Sequence, residues 1–377
     1  MKDLVTQFRQ QLPEAVALLA QMVSMESPSY DKKLTDKFVE FVAGKFRETG
    51  GQVDVIPATK VGNHVRAKFS DGAKEGVLLL GHTDTVWPAG EIEKRPFKVE
   101  NGRAMGPGVF DMKAGIVLIW MVMRALKAIP VTILLTSDEE IGSTSARALI
   151  ESEASQCRAV FVLEPSLPGG ALKTARKGVG RFTVKAIGRA AHAGVDPEKG
   201  VNAIEEISRQ VLKLQRMTDS ARGTTVTVGI VQGGTRSNVV PAEAAAEIDV
   251  RIASVDEGER VAKMIKALSP ELPGARLEIR GAINRPPMER NTETARLFEA
   301  ARLIAKEMGI DLKEGSTGGA SDGNFTSALG IPTLDGLGAV GGGAHAVDEW
   351  VDMESLPQRA ALIAGLIQFE LGEIRGQ

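Results

Sequence analysis

Histidine and acidic side chains that could bind a metal ion follow apolar segments of this sequence. His82 and Asp84 lie in GHTDTV, directly after the apolar run VLLL. Because positions i and i+2 of an extended segment point to the same side, one of them can bind a metal while the other orients it. Asp111 lies in the glycine-rich turn GPGVFDMKAG, where it could bridge two ions or, equally, cap the helix that follows.

Two adjacent glutamates, Glu139 and Glu140, follow the apolar run VTILL. Desolvation and mutual repulsion disfavour such a pair at the end of a buried strand, unless a metal dication lies beside it. One glutamate could then bind the ion while the other acts as a base, although an exposed loop would also tolerate the pair. Glu164 follows a third apolar run, VFVL, and His345 lies in the glycine-rich loop GGGAHAVDEW.

Together these side chains predict a site for two metal ions. Each residue alone is ambiguous, but the carboxylates follow successive strands and histidines flank them in the sequence. Nitrogen and oxygen ligands without cysteine suit Zn²⁺, with Co²⁺ or Mn²⁺ as substitutes. A site for two neighbouring ions needs about five ligands with one bridging carboxylate, and the set is His82, Asp111, Glu140, Glu164 and His345.

The segments that must position these residues alternate between strand and helix. The apolar runs before His82, Glu139 and Glu164 are typical of buried strands, and AGIVLIWMVMRALKAI, between the first two, is typical of a buried helix. Apolar strands that alternate with helices predict an α/β fold with a mostly parallel sheet covered on both faces. Ligands gather at the carboxyl ends of the strands in such sheets, and the acidic residues of this sequence lie there.

The sequence pattern changes between residues 178 and 283. Strand-like and helical segments follow there in the order β-α-β-β-α-β, which predicts an inserted ferredoxin-like α+β domain. The catalytic domain is therefore predicted to be discontinuous and to consist of residues 1–177 and 284–377. His345 would reach the site only from the second part.

The composition narrows the classes of function. Of 377 residues, 46 are basic and 48 are acidic, with no basic patch among interleaved aromatics, so no nucleic-acid partner is expected. No apolar run is long enough to span a bilayer, so no membrane association is expected. No secretory leader is visible, which predicts a cytoplasmic protein, or a periplasmic one if a leader was removed. Cys157, the single cysteine, excludes an internal disulfide and a thiolate metal cluster.

Several motifs resemble those of the dinuclear-zinc aminoacylase and carboxypeptidase family of metallopeptidases, in particular its folate-cleaving bacterial glutamate carboxypeptidases. They follow the family's order between residues 81 and 349, and they are GHTDTV, GPGVFDMKAG, SDEEIGS, LEPS, GRAAHAG, SNVVP and GGGAHAVDE. The resemblance implies a zinc-exopeptidase-like three-layer catalytic domain with the insert as a lid and dimerisation domain. It also implies two Zn²⁺ per subunit and a homodimer.

The resemblance implies a role for each residue of the predicted metal site. The ligands would be His82, Asp111 and Glu164 at one ion, and Asp111, Glu140 and His345 at the other. Asp84 would orient His82, and Glu139 would be the general base that later delivers a proton to the leaving amine. A cis peptide bond is expected between Asp111 and Met112.

The resemblance also implies a set of substrate contacts, which are His192, Asn238, Arg251, Arg285 and Gly319 with its neighbour Gly318. His192 would come from the partner subunit and stabilise the oxyanion, and Ala191 precedes it where the family has serine. An arginine fork suits a substrate carboxylate, although Arg251 or Arg285 could equally be a solvated surface charge. His64 is interpreted as structural.

These features predict an enzyme that hydrolyses an amide or peptide bond and releases a C-terminal amino acid, glutamate foremost. Its substrate would be an N-acyl amino acid, a folate-like compound or a small peptide, each with a free carboxylate. An aminopeptidase or an N-deacetylase would share the same metal ligands and stays open as an alternative. A zinc-binding protein without catalysis is less consistent with a sequence that retains every ligand together with Asp84 and Glu139.

Overall fold

The computed structural model describes residues 1–70, 76–126 and 129–372, and the chain forms two compact units. The first unit contains Met1–Ala175, Arg290–Ser316 and Ser321–Gln377, and the second contains Arg176–Glu289 and Thr317–Ala320. The second unit includes more residues than the predicted insert, which was 178–283. Its last strand runs on to Arg285, and Arg176 pairs with Met288 beyond that strand.

Helices and strands alternate along much of the described chain. The helices are α1 (Lys2–Ser24), α2 (Lys32–Glu48), α3 (Glu91–Lys94), α4 (Ala114–Ala125), α5 (Arg147–Ala154), α6 (Ala203–Gln215), α7 (Val255–Lys266), α8 (Thr292–Glu307), α9 (Gly323–Ala328) and α10 (Leu356–Glu370). The strands are β1 (Gln52–Ile56), β2 (His64–Phe69), β3 (Gly76–His82), β4 (Lys98–Glu100), β5 (Arg103–Met105), β6 (Val131–Thr136), β7 (Cys157–Val162), β8 (Leu172–Arg176), β9 (Gly178–Ile187), β10 (Thr225–Gly233), β11 (Glu243–Ile252), β12 (Arg276–Arg285), β13 (Glu314–Thr317), β14 (Thr333–Leu334), β15 (Gly341–Gly342) and β16 (Trp350–Asp352).

A six-stranded sheet in the order β1-β2-β6-β3-β7-β14 forms the middle layer of the first unit. The pairs β6-β3, β3-β7 and β7-β14 are parallel, while β2 is antiparallel to both β1 and β6. The predicted mostly parallel sheet is therefore present. Because β3, β6 and β7 run in the same direction, His82, the Glu139–Glu140 pair and Glu164 follow strand ends at one edge of the sheet.

Side chains of the central strands alternate between two buried faces of this sheet. Leu78 and Leu80 of β3 belong to a core with α5 and α9, whereas Val77 and Leu79 belong to a second core with α1, α2, α4, α8 and α10. Burial on both faces explains why the run VLLL is apolar at every position. The first unit is a three-layer α/β domain, as predicted.

The second unit contains a four-stranded antiparallel sheet in the order β10-β11-β9-β12. Its elements follow as β9-α6-β10-β11-α7-β12, which is the predicted ferredoxin-like order. Phe182 and Val184 of β9 share one core with Ile248 of β11 and with Ile207 and Ile265 of the two helices. Both helices therefore cover the same face of the sheet.

Two smaller sheets, β15-β16-β5-β4 and β13-β8, complete the fold. β15 leads into the loop that contains His345. Among the helices of the described residues, none combines the length and the apolar character needed to cross a membrane.

Candidate metal centre

His82 is the last residue of β3, and its side chain is almost fully buried. Its Nδ1 lies 2.9 Å from the backbone oxygen of Asp84, so this nitrogen donates its hydrogen there. Its Nε2 lies 3.1 Å from Asp111 Oδ1 and 3.4 Å from Glu164 Oε1. Both partners are oxygens that only accept, so in the metal-free ring both nitrogens donate, and in spite of burial the hydrogen bond to Asp111 raises the pKa of His82 well above its ordinary value. A metal ion would replace the Nε2 proton, while Nδ1 continues to donate to Asp84.

Asp111 lies in the turn Val109–Lys113, between β5 and α4. Its two carboxylate oxygens face different histidines, because Oδ1 is 3.1 Å from His82 Nε2 and Oδ2 is 3.3 Å from His345 Nε2. The peptide bond from Asp111 to Met112 is cis, as the resemblance implied. The carboxylate therefore lies between two imidazoles, where a bridging ligand would lie.

The two adjacent glutamates lie in one 3₁₀ turn, Glu139–Ile141, which follows β6. The buried Asp84 carboxylate accepts the backbone N–H groups of Glu139 and Glu140, at 3.2 Å each, and the Ser29 hydroxyl at 2.7 Å. Asp84 Oδ1 lies 3.5 Å from His82 Nδ1, further away than the Asp84 backbone oxygen. Asp84 thus contacts His82 mainly through its main chain, while its carboxylate fixes the turn of the glutamates.

His345 approaches from the second segment of the first unit, in the loop after β15. Its φ of 62° lies in the left-handed region, which few residues other than glycine adopt. Its Nε2 lies 3.1 Å from Glu140 Oε2 and 3.3 Å from Asp111 Oδ2. The fifth predicted ligand therefore reaches the same place as the other four.

Two groups of potential metal-binding atoms result from these contacts. One group is His82, Asp111 and Glu140, the other is His82, Glu139 and Glu164, and within each group the atoms lie within 4.8 Å of one another. The structure thus brings together all the predicted ligands and the predicted base. We call this set the acidic cluster, and its members are His82, Asp111, Glu139, Glu140, Glu164 and His345.

The acidic cluster holds more negative charge than its histidines can balance. Burial raises the pKa of Glu140 to about 7, in spite of its hydrogen bond with His345, and the charge of Asp111 adds to the increase. Hydrogen bonds to Asp111 and Glu140 raise the pKa of His345 to about 10. Four carboxylates beside two protonated imidazoles would still leave a net negative charge, which divalent cations can compensate. The donor set therefore fits bound metal ions.

Several known proteins are similar to this chain in sequence or in fold. The sequence matches peptidase family M20/M25/M40 over residues 78–368. Carboxypeptidase G2 from Pseudomonas sp. (strain RS-16) is 31% identical over 368 residues, which cover 94% of this chain and 89% of that protein. Acetylornithine deacetylase from Myxococcus xanthus is 26% identical over 377 residues, covering 94% of this chain and 96% of that protein. Aminopeptidase PepT from Bacillus cereus ATCC 10987 has a similar structure, with a TM-score of 0.80 at 24% identity, covering 96% of this chain and 99% of that one.

The chain belongs to peptidase family M20/M25/M40. This membership confirms the family predicted from the motifs and the predicted enzyme class, a hydrolase of the metallopeptidase and amidohydrolase type. The structural similarity to PepT confirms the predicted fold class. A zinc-binding protein without catalysis, the remaining alternative from another functional class, has no support among these relatives.

The predicted substrate contacts of this M20/M25/M40 chain lie in the second unit. His192 and Asn238 are exposed neighbours whose main chains run side by side, with the Ala193 N–H donating to the Asn238 oxygen at 3.0 Å. The His192 ring is held locally, since its Nδ1 accepts the Gly194 N–H at 3.1 Å. These two predicted residues therefore form one local group within the insert.

Arg251 has a carboxylate partner in its own strand. Its Nε and Nη2 donate to the two oxygens of Asp249, at 2.8 Å and 3.1 Å, and its Nη1 lies 3.4 Å from the Gly318 oxygen. The Gly319 oxygen accepts a hydrogen bond from Arg176 at 3.2 Å, a buried arginine that the sequence motifs did not indicate. Arg285, at the end of β12, is only 5% exposed.

Glu349 is a buried glutamate whose role the sequence motifs also did not indicate. Its carboxylate accepts the backbone N–H groups of Gly108 at 2.9 Å, Phe110 at 2.8 Å and Asp111 at 2.9 Å, and Nε1–H of Trp87 at 3.1 Å. Glu349 therefore fixes the turn that carries Asp111. The feature of the sequence that could have indicated this role is the position of Glu349 in GGGAHAVDEW, four residues after His345.

His64 lies outside the acidic cluster. Its Nδ1 accepts the Ser137 N–H at 3.1 Å, and its Nε2 lies 3.2 Å from the Ser145 hydroxyl. Burial lowers the pKa of His64, which favours the neutral ring that this pair of contacts requires. His64 thus hydrogen-bonds to the segment that follows β6, which is consistent with a structural role.

Proposed function

We propose that this protein is a dinuclear zinc carboxypeptidase or amidohydrolase that releases a C-terminal amino acid, glutamate foremost, from a small N-acylated substrate. The observation that carries the proposal is the position of Asp111, whose carboxylate oxygens face His82 and His345 at 3.1 Å and 3.3 Å. The similarity to Carboxypeptidase G2 over 94% of the chain supports release of a C-terminal residue. N-acyl amino acids, folate-like compounds and short peptides all meet this description.

Two zinc ions would share Asp111 as a bridging ligand. His82 and Glu164 would complete one position, and Glu140 and His345 the other. Nitrogen and oxygen donors suit Zn²⁺, with Co²⁺ or Mn²⁺ as substitutes. When bound, the ions would supply Lewis-acid activation of the scissile carbonyl and of water.

Glu139 would act as the general base. Its carboxylate is grouped with His82 and Glu164, and only 8% of the residue is exposed. Its main chain is fixed, since its N–H donates to Asp84 at 3.2 Å. The Glu139 carboxylate would take a proton from the attacking water and deliver it to the leaving amine nitrogen, so that one group serves both steps.

The second unit would supply the groups that recognise the substrate. Arg251 and Arg285 would bind the free carboxylate, for which the planar guanidinium is well suited, beside Asn238 and the main chain of Gly319. Arg251 would have to exchange its ion pair within the insert for one with the substrate. His192 would stabilise the negative charge that develops on the carbonyl oxygen.

We also propose a homodimer formed through the second unit. β10 is an edge strand of its sheet, and its Ile230 and Val231 are 47% and 52% exposed. Exposed apolar side chains on an edge strand favour pairing with a second copy. His192, which is also exposed, would then act in the site of the partner subunit. A cytoplasmic location stays a prediction from the sequence.

A hydrolysis assay with zinc added back to metal-free protein tests the proposed function. The compounds are N-acetylglutamate, N-(4-aminobenzoyl)glutamate, N-acetylornithine and tripeptides with a free amino group. We expect glutamate to be released from both glutamate conjugates, and Arg285→Ala to impair these substrates more than their carboxamide counterparts. Cleavage of another compound, with neither glutamate conjugate cleaved, would show that the glutamate assignment is wrong.

The N-deacetylase alternative is supported by the 26% identity to Acetylornithine deacetylase. It predicts that N-acetylornithine is the best substrate in the same assay. The aminopeptidase alternative requires recognition of a free amino group and predicts cleavage of the tripeptides from their N-terminal end. The likeness to PepT, at 24% identity, supports only the shared fold.

A further inference from the structure

Arg359, on α10, is a buried arginine whose hydrogen bonds all go to main-chain oxygens. Its Nε donates to the Gly338 oxygen at 2.8 Å, its Nη1 donates to the Gly170 oxygen at 2.9 Å, and its Nη2 donates to the Gly336 oxygen. Burial lowers the pKa of this guanidinium to about 10, so it stays charged near neutral pH. No carboxylate pairs with it among the residues that the structure describes. Because a buried charge without a counter-ion is costly, we looked for what its three contacts hold in place.

The residues that accept these hydrogen bonds adjoin the segment of Glu164. Gly170 ends the short turn that follows Glu164 in the sequence. Gly336 and Gly338 belong to residues 335–340, which follow β14 and which we call the β14 loop. The guanidinium of Arg359 therefore joins this loop to the chain just beyond a proposed metal ligand.

The β14 loop continues the parallel pairing of β14 with β7 beyond the ends of both strands. Three main-chain hydrogen bonds join it to residues 162–166, namely from the Leu337 N–H to the Val162 oxygen at 3.1 Å, from the Gly338 N–H to the Glu164 oxygen at 2.9 Å, and from the Ser166 N–H to the Ala339 oxygen at 3.1 Å. On the opposite side, the Leu163 N–H donates to the Leu80 oxygen of β3 at 2.8 Å. The backbone of Glu164 is thus held between β3 and the β14 loop.

Gly338 contacts both Arg359 and Glu164. Its oxygen accepts from Arg359, and its N–H donates to the Glu164 oxygen. A Cβ atom at this position would lie 2.3 Å from the Leu163 oxygen and 2.6 Å from the Glu164 oxygen, so the close approach requires glycine. A single residue therefore connects the buried guanidinium to the backbone of the proposed ligand.

We propose that Arg359 is a positioning residue for one of the two metal ions, because it holds the β14 loop that fixes the backbone of Glu164. The proposal rests on the proposed metal site and adds a residue that sets the affinity of one position. Glu164 Oε1 lies 3.4 Å from His82 Nε2, at the first of the two positions. Glu140 and His345, which would hold the second ion, come from other segments. Loss of Arg359 therefore weakens the first ion and spares the second.

The test measures zinc binding to metal-free protein by competition with a chromophoric chelator, which needs no turnover. Arg359→Met removes the three donated hydrogen bonds and keeps a long side chain. We expect one zinc ion to bind about 10- to 100-fold more weakly and the other to bind as in the wild type. Arg359→Lys keeps the charge without the planar fork, and we expect a smaller loss of about three- to tenfold. Gly338→Ala displaces the same contact from its other side and should weaken the same ion.

The visible absorption spectrum of Co²⁺-substituted protein identifies which ion is weakened. Glu164→Gln and His345→Asn are the reference variants, since each removes a ligand of one proposed position. With one equivalent of Co²⁺, Arg359→Met should give the spectrum of Glu164→Gln. The spectrum of His345→Asn would assign the effect to the other ion and overturn the proposal.

Two controls separate positioning from a general loss of stability. Leu19→Ala opens a cavity in the core of the same unit and should keep both zinc affinities. Arg302→Met, the same substitution at an exposed arginine of α8, should also bind zinc like the wild type.

Unchanged zinc binding in Arg359→Lys, or in a folded Arg359→Met, would overturn the proposal. Equal weakening of both ions, or the same weakening in Leu19→Ala, would overturn it as well. If Arg359→Met does not fold, Arg359→Lys decides. A wild type that binds two zinc ions but cleaves neither glutamate conjugate contradicts the proposed substrate alone, and the binding measurement still decides the role of Arg359. A wild type that binds no zinc overturns both proposals.

Discussion

Glu139 and Glu140 are neighbours in sequence but contact different members of the acidic cluster. Glu140 lies 3.1 Å from His345, whereas Glu139 is grouped with His82 and Glu164. The 3₁₀ turn separates the two side chains although their backbone N–H groups share one acceptor, Asp84. One glutamate can thus hold a metal ion while the other stays available to move a proton.

We expect Glu139→Gln to lower kcat by roughly 10² to 10⁴-fold, because the amide cannot accept the proton of the attacking water. The variant should keep its zinc, since Glu139 is not among the five proposed ligands. Steady-state kinetics and elemental analysis of the same sample measure both quantities. Full turnover in a zinc-loaded Glu139→Gln sample would rule out the proposed base.

We expect Glu349→Gln to weaken zinc binding about 10- to 100-fold, because residues that orient ligands contribute to metal affinity on this scale. The amide has one oxygen acceptor where the carboxylate has two for the turn of Asp111. Competition with a chromophoric chelator measures the zinc dissociation constant. Glu354→Gln, an exposed glutamate nearby in sequence, is the matched control and should bind zinc like the wild type.

We expect zinc affinity to rise between pH 6 and pH 8. In the metal-free protein the pKa of Glu140 is about 7 and that of His345 is about 10, so protons compete with the metal at both groups. Raising the pH through 7 removes the proton of Glu140, and zinc must still displace that of His345 at pH 8. Calorimetry in buffers of different ionisation enthalpy measures both affinity and released protons. An affinity independent of pH would contradict this assignment.

At the scale of elements, the strands that deliver His82, Glu139 and Glu164 could be predicted from the sequence. Each is an apolar run buried on both faces, and each is followed by a polar residue at the same edge of the sheet. Contacts across the fold could not be predicted in this way. Glu349 binds the N–H group of Asp111 from 238 positions away, and no periodicity connects the two.

The pairing of Arg251 with Asp249, by contrast, could be predicted from the sequence. Alternate residues of a strand point to the same side, so the motif DVRI of β11 already places this carboxylate beside the guanidinium. The motif match alone indicates only a substrate contact for Arg251, whereas the strand pattern also predicts this local carboxylate partner.

We expect Leu80→Ala to destabilise the first unit by about 2–5 kcal/mol, because β3 is buried on both faces and the cavity would open against α5 and α9. Val99→Ala, on the exposed strand β4, is the matched control and should change stability by less than about 0.5 kcal/mol. Chemical unfolding followed by circular dichroism measures both variants. Equal stabilities would mean that β3 is not the packed centre of this layer.

At the scale of the whole molecule, we expect Ile230→Asp to convert the proposed dimer into monomers. A charge on the edge strand β10 would have to be buried against the second copy, which is costly. Ile230→Val keeps the surface apolar and should remain dimeric. Light scattering coupled to size-exclusion chromatography gives both masses, and a dimeric Ile230→Asp protein would place the interface elsewhere.

We expect partial recovery of activity when inactive His192→Ala and Glu139→Gln proteins are mixed and allowed to exchange subunits. If His192 acts in the partner's site, each mixed dimer has one site with both residues intact. Random pairing then gives roughly a quarter of wild-type activity. Two inactive proteins that remain inactive after exchange, with mixed dimers confirmed by mass spectrometry, would show that His192 does not act across subunits.

The contact of Glu349 with the turn of Asp111 also determines when, during translation, this turn can reach its final conformation. A ribosome releases residues 108–111 long before residue 349, so the turn must wait for its anchor while more than half of the sequence is made. His345 emerges in the same late stretch. We therefore expect no hydrolysis until residues 345–349 have been synthesised, because chains that terminate earlier would lack both His345 and the anchor of the Asp111 turn.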